Sequence, residues 1–375
     1  MLNKKNVLFL TGTRADFGKL KSLMRRVESS DKFEMHVFIT GMHMMCKYGM
    51  TSIEVERSNF KNIYKYINQN LNDSMDVVLS KTILGLSDYV KEIKPDMIIV
   101  HGDRVEAMAG AIVGALNNIL VSHIEGGEVS GTIDELIRHS ISKMSHIHFV
   151  SNGTAKKRLI QLGEVESSIF EIGSPDLDIM VSNTLPSKNE VLEKYCIPFK
   201  EYGILMHHPV TTELESLGQE ISSVVDSILE SGQNFVIVYP NNDHGTDIIL
   251  NEYKRLEGNA RIRIFPSIRF EYFLVLLKNS QFIVGNSSAG VREAPFYGLP
   301  SINIGSRQNN RSQAESVINT SPIKDEILRS INKALNSKFT PSREFGCGNS
   351  DKLFISEMEQ ESLWESSKQK LFMDL

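Results

Sequence analysis

Short, nearly unbroken apolar runs alternate with helix-length segments along most of this chain, and that rhythm constrains the fold more than any other feature. Asn6–Thr11 (NVLFLT), Met35–Thr40, Met97–His101 (MIIVH), Leu120–Ile124 and Ile147–Ser151 are apolar nearly throughout and end in polar residues or glycine. Runs of this kind read as parallel strands buried on both faces. The intervening segments Phe17–Glu28, Asp76–Ile93, Arg104–Leu116 and Thr132–Met144 are long enough to be crossover helices, which is the βαβ grammar of a doubly wound sheet. The rhythm breaks around Gly173, Ser174 and Pro175. It restarts at Tyr202–His207, Phe235–Tyr239, Gln281–Gly285 and Ser301–Ile304.

A chain of 375 residues exceeds the size at which one hydrophobic core usually stops growing. The expectation is therefore an α/β protein of two Rossmann-like domains, one over residues 1–175 and one over 176–354. Residues 355–375 carry Ile355, Met358, Leu363, Trp364 and Leu371 at mixed helical spacing and predict a helix packing back on the first domain. Ligands of such sheets bind at the carboxyl ends of the strands, so two facing sheets predict a cleft and direct attention to the residues just past each strand.

Composition removes several classes of function. A net charge of −5 lacks the basic face that bulk nucleic-acid binding needs, although a local cationic pocket stays open. Three widely spaced cysteines, Cys46, Cys196 and Cys347, suit a reducing compartment better than a disulfide framework or a zinc site. The apolar run Val7–Leu10 is too short for a signal sequence or a membrane span. A cytoplasmic protein with no membrane partner is expected.

The first strand is followed by Thr11-Gly12-Thr13-Arg14-Ala15-Asp16-Phe17-Gly18. An arginine beside the free N–H groups of a helix start suits a diphosphate; equally, the segment reads as a plain turn with a solvated arginine. Two neighbouring strands then end in His101-Gly102-Asp103-Arg104 and His123-Ile124-Glu125-Gly126-Gly127-Glu128, each with a carboxylate set among glycines where backbone can approach a ligand. Asp103 could instead cap the next helix, and Glu125 could simply face solvent. His101 and His123 read as hydrogen-bonding strand-end histidines rather than metal ligands, since no metal-binding spacing accompanies them. Gly131-Thr132-Ile133-Asp134-Glu135 fits a capping box between Thr132 and Glu135, leaving Asp134 in the first turn.

In the second half, Met206-His207-His208-Pro209-Val210-Thr211-Thr212 comes after a strand, and adjacent side chains on extended backbone point to opposite faces. The run Val284-Gly285-Asn286-Ser287-Ser288-Ala289-Gly290-Val291-Arg292-Glu293 has the glycine bend, free N–H groups and short hydroxyl donors of a phosphate cradle. A serine-capped turn is the plainer reading. Glu293 could accept ribose hydroxyls or could be a surface residue, and Gly305-Ser306-Arg307 offers another guanidinium.

Taken in order, TGTRADFG, HGDR, HIEGGEVSGTIDE, HHPVTT, YPNND and GNSSAGVREAPFYGLPSINIGSRQ resemble the hydrolysing UDP-N-acetylglucosamine 2-epimerases, both the bacterial enzymes and the epimerase half of the animal bifunctional enzyme. The resemblance implies a glycosyltransferase-B-like fold with UDP held mainly by the second domain. It implies that Arg14, Arg104, His208, Asn241, Ser287, Ser288, Glu293 and Arg307 contact UDP, and that Asp103, Glu125 and Asp134 are the acid/base set, with His208 also assisting departure of UDP. No cofactor and no metal are implied, and a homodimer or dimer of dimers is.

Gly18 and His207 depart from the serine and glutamine of the animal branch. Asn251 and Lys254 stand where the feedback-regulated animal enzymes present arginines to CMP-sialic acid, so binding of that inhibitor is not expected. Nor is a kinase activity. The implied reaction yields N-acetylmannosamine for sialic-acid synthesis. The rival readings are the same chemistry on a UDP-2,4-diacetamido-2,4,6-trideoxy sugar, a nonhydrolysing epimerase, a glycosyltransferase and a UDP-sugar-binding sensor.

Overall fold

The structure, a computed structural model, describes residues 4–130, 133–240, 244–371 and 373. The chain divides into two compact units. The first is built from β1 (Lys5–Thr11), α1 (Arg14–Ser29), β2 (Phe33–Ile39), α2 (Ser52–Glu56), β3 (Asn62–Lys65), α3 (Met75–Ile93), β4 (Met97–His101), α4 (Val105–Leu116), β5 (Leu120–Ile124), α5 (Ile133–Met144), β6 (Ile147–Val150), α6 (Gly153–Gln161), β7 (Ile169–Glu171) and α7 (Asp176–Met180). Its strands form one sheet in the order β3-β2-β1-β4-β5-β6-β7, parallel throughout.

The run in β1 is continuous because both sheet faces are covered. Val7 and Phe9 enter one core cluster with Leu20, Leu23 and Met24 of α1. Leu8 and Leu10, of opposite parity, enter the other with Val113 of α4 and Ile141 of α5. Alternate side chains of a strand point to opposite faces, so a strand buried on both needs no polar position. α1 starts where it does because the Thr13 side chain accepts from the Asp16 amide while the Asp16 carboxylate accepts from the Thr13 amide, a capping box.

The second unit contains α8 (Lys188–Lys194), β8 (Gly203–Met206), α9 (Leu214–Glu230), β9 (Phe235–Val238), α10 (Thr246–Tyr253), β10 (Ile262–Phe265), α11 (Phe270–Lys278), β11 (Phe282–Gly285), α12 (Glu293–Phe296), β12 (Ser301–Ile304), β13 (Val317–Thr320) and α13 (Lys324–Leu335). Its parallel sheet runs β10-β9-β8-β11-β12-β13. Each sheet reverses its strand order once, between β1 and β4 in the first and between β8 and β11 in the second, and such a switch point is where open α/β sheets bind ligands.

Four strands have no counterpart in the sequence reading: β3, β7, β10 and β13. They are the four sheet edges; β3, β7 and β13 mix exposed with half-buried positions and β10 is half-buried past Ile262, so none carries a continuous apolar run. The chain leaves the first unit after Val181 and returns at Gly346, where the sequence reading divides it after residues 175 and 354. The returning segment forms α14 (Ser350–Met358) and α15 (Glu361–Trp364) rather than one helix from Ile355. Asp178 fixes the earlier start, its carboxylate accepting from the Ser350 and Asp351 amides at 2.7 and 2.9 Å. Phe354, Met358 and Leu363 then complete the core cluster beneath α1.

Candidate active site

In the first unit, β4 and β5 are paired so that His101 stands opposite Ile124, and the two carboxylate-bearing turns leave the sheet side by side. The Glu125 amide still bonds to Phe149 of β6 at 2.9 Å. Its backbone then turns into the left-handed region, φ 64°, a conformation that costs a non-glycine residue about 1–3 kcal/mol and clusters at functional sites. The turn drives the side chain inward. Glu125 is 2% exposed, which rules out the solvent-facing alternative.

Donors surround that carboxylate. His101 Nε2 lies 3.1 Å and Lys19 Nζ 3.4 Å from Oε2, and the Ser174 hydroxyl donates to Oε1. Lys19 also lies 3.4 Å from the fully buried Asp176. Asp103 does not cap α4, whose N-cap position falls to Arg104. The Asp103 carboxylate instead accepts from the Arg138 guanidinium, which also donates to the Glu125 carbonyl at 2.8 Å. One buried arginine thus ties both turns together. Asp134 is half-buried in the first turn of α5 and one helical turn before Arg138, hence on the same helix face. Glu135 lies 3.5 Å from His139; its expected partner Thr132 lies outside the described residues.

Arg14, the first residue of α1, pairs with Glu54 of α2 at 2.5 Å, so it is not merely solvated. Arg104 reaches Glu106 through Nε at 3.4 Å with nearly half its side chain exposed.

In the second unit, β8 and β11 end in register, Met206 opposite Gly285. Gly285 has φ 128°, and a Cβ there would lie 2.0 Å from the Met206 carbonyl oxygen, so only glycine permits this approach. Asn286 comes next and clamps the neighbouring segment: its Oδ1 accepts from the His208 amide at 2.7 Å and its Nδ2 donates to the His208 carbonyl at 2.8 Å. The Asn286 carbonyl in turn accepts from Arg307 at 3.1 Å and from Gln308 at 2.9 Å. His208, Asn286 and Arg307 form one network at the switch point.

Both members of the histidine doublet are buried. His207 Nε2 lies 3.1 Å from Glu220. His208 is held well below the usual imidazole pKa, first by burial and then by the Arg307 charge and His207, so it is neutral at physiological pH. The Ser287 side chain accepts from the Ala289 amide and caps a single 3₁₀ turn, Ser288–Gly290, and the four-residue α12 comes after it with Glu293 as its first residue. The helical segment after this run is therefore short, and any anion there meets individual N–H groups rather than a full helix dipole. Glu293 is buried, not a surface residue. Asn241 lies outside the described residues.

Lys19, Arg138, Ser174, Asp176 and Asn286 escaped the motif reading as individual site residues. Arg138 had a legible signal, since it lies within the buried stripe of α5 with Ile137, Ile141 and Ser142, where a charged residue needs a partner. Ser174 and Asp176 had none, because they reach the site only through the β7–α7 connection. Among the described residues no group of three or more His, Cys, Asp or Glu side chains could hold a metal ion, and no helix is long and apolar enough to cross a membrane.

A family model described as UDP-N-acetylglucosamine 2-epimerase matches residues 25–359. The chain is 50% identical over 375 residues to the UDP-N-acetylglucosamine 2-epimerase of Neisseria meningitidis serogroup B, covering 99% of each chain. It is 34% identical over 350 residues to the UDP-N,N'-diacetylbacillosamine 2-epimerase (hydrolyzing) of Legionella pneumophila, covering 92% of this chain and 93% of that one. Among solved structures, UDP-GlcNAc 2-epimerase from Neisseria meningitidis bound to UDP-GlcNAc matches with a TM-score of 0.80 at 20% identity, over 94% of this chain and 99% of that chain. That likeness establishes the glycosyltransferase-B-like fold.

Proposed function

The chain belongs to the UDP-N-acetylglucosamine 2-epimerase family, and on that premise we propose that it hydrolyses UDP-GlcNAc with inversion at C2, releasing UDP and N-acetylmannosamine. The observation that carries this reading is the joined pair of carboxylates in the first unit: Glu125, buried among Lys19, His101 and Ser174, and Asp103, tied to it through Arg138.

C2–H of a nucleotide sugar is not adjacent to a carbonyl, so a base alone cannot remove its proton. Departure of UDP from C1 makes the proton acidic, because the oxocarbenium-like centre draws electron density from the C2–H bond. In this reading the second unit binds UDP through Arg307, Ser287, Ser288 and Glu293. Neutral His208 donates an N–H to the diphosphate as charge accumulates there, and Arg14 and Arg104 supply cationic donors. Glu125 or Asp103 takes the C2 proton as general base, giving 2-acetamidoglucal. Water then adds at C1 and a proton returns to C2 from the opposite face. Two acid/base groups are needed, and Asp103, Glu125 and Asp134 provide the set.

Turnover of UDP-GlcNAc in D₂O, followed by NMR, tests the reading. Deuterium is expected at C2 of free N-acetylmannosamine, with UDP released in equal amount. Product that keeps its C2 hydrogen or its gluco configuration sinks the proposal, and accumulation of UDP-N-acetylmannosamine without free UDP converts it to a nonhydrolysing epimerase.

A second reading rests on the Legionella relative: the same reaction on a UDP-2,4-diacetamido-2,4,6-trideoxy sugar. Offering that donor alongside UDP-GlcNAc decides between them, and the 50% identity to the Neisseria protein favours UDP-GlcNAc. We further propose a homodimer or dimer of dimers in the cytoplasm, the oligomer checked by light scattering.

A further inference from the structure

His123 lies on β5 with no solvent exposure and takes no part in the chemistry above. Its Nε2 is 2.8 Å from the Gly102 carbonyl oxygen and its Nδ1 is 3.0 Å from Ser142 Oγ. A carbonyl oxygen only accepts, so Nε2 must carry the hydrogen. Burial, first of all, pushes His123 down to about 3; the bond to the Gly102 carbonyl pulls the other way but is outweighed, and the positive or ionisable groups facing the ring, His148 on β6, Arg138 on α5 and His101 on β4, oppose protonation as well. The imidazole is therefore neutral, Nδ1 is an acceptor, and the Ser142 hydroxyl donates to it. One tautomer is imposed by its two partners.

The two ends of this ring brace the two turns of the site. Gly102, which accepts from Nε2, immediately precedes Asp103. Gly126, the residue immediately after Glu125, packs over the other end: a Cβ there would lie 2.9 Å from both His123 Nδ1 and Ser142 Oγ. We propose that His123 is a positioning residue, a neutral Nε2–H strut that spans the turns carrying Asp103 and Glu125 and fixes the spacing of their carboxylates. This rests on the proposed roles of those two residues. Arg138 ties the same turns from the α5 side, so the strut and the arginine hold the pair from two directions.

The strut acts on the chemical step and not on UDP, so its loss separates kcat from binding. With UDP-GlcNAc, His123→Ala is expected to lower kcat about 10²-fold while UDP affinity stays within about twofold, as for a site displaced on the order of 1 Å. His123→Gln, which restores an amide N–H toward Gly102, is expected to recover part of the loss. Ser142→Ala, which removes only the donor to Nδ1, is expected to lower kcat about 3- to 10-fold, the worth of one hydrogen bond. It carries the kinetic test if His123→Ala does not fold. Nitrogen-15 NMR of the unsubstituted protein, with His123 assigned by its absence in His123→Gln, is expected to show the Nε2–H tautomer and no titration across the range where histidine normally changes charge.

Unchanged kcat in the variants, a parallel loss of UDP affinity, or an imidazole that titrates or carries Nδ1–H overturns the strut. If the unsubstituted protein does not turn over UDP-GlcNAc, the functional reading fails instead, and the tautomer measurement still decides the inference.

Discussion

At the scale of single residues, the proposed site divides its labour between binding and chemistry, and substitutions should separate the two. Arg307 donates to the Asn286 carbonyl from within the network that holds His208, which leaves its guanidinium aimed at the switch point of the second sheet. Arg307→Ala should weaken UDP binding by about 1.5–3 kcal/mol, the range for hydrogen bonds to charged groups; unchanged affinity by calorimetry removes it from the site. Glu125→Gln keeps the shape of a side chain surrounded by donors and removes its basicity. It should lower kcat by about 10²–10⁴ with UDP affinity retained, and a variant with full turnover would pass the role of base to Asp103 or Asp134.

At the scale of elements, a site of this kind depends on how strands end. The β8 and β11 ends approach so closely at Gly285 that a methyl group would meet the Met206 carbonyl at 2.0 Å, and φ at that position is one L-residues rarely adopt. Gly285→Ala should therefore cost about 2–4 kcal/mol, combining overpacking with backbone strain. It should also impair UDP binding by displacing Asn286. Denaturant unfolding of the variant checks the first effect, and a midpoint equal to that of the unsubstituted protein contradicts it. The central strands were legible because burial on both faces leaves an unbroken apolar run. The four edge strands were not, because an edge shares its residues between core and solvent and loses that pattern.

At the scale of the whole molecule, pH should act on stability through buried imidazoles. His36, His43, His123, His146, His148 and His208 all lie below the ordinary histidine value of 6.5, burial being the leading cause in each. Between 6.5 and each lowered value the unfolded chain binds a proton that the fold refuses, so stability falls as pH falls. Asp178 works in the opposite sense, since burial raises it from 3.8 to about 6 and the fold keeps a proton there that the unfolded chain releases. Glu164, despite burial, is drawn down from 4.5 to about 2 by His148 and Lys370, and adds a further loss as pH drops below 4.5. Six groups outweigh one, so the thermal midpoint should fall from about pH 7 to about pH 5. The fall should be shallower in His148→Gln, and a flat or rising midpoint over that interval would show that the imidazoles are not the controlling groups.

The sequence by itself determined the fold class, the count of two sheets, and the turns on which the candidate residues stand, because strand periodicity and strand-to-helix punctuation are local properties of a few adjacent residues. What only the tertiary structure decided is which side chains those turns bring together. Arg138 reaches across from α5 to Asp103, Ser174 arrives at Glu125 from beyond β7, and Asp178 starts a helix at Ser350, 172 residues away along the chain. The physical reason is that a buried polar group takes its hydrogen-bond partner from whatever the packed fold sets beside it, and no local spacing records that neighbour.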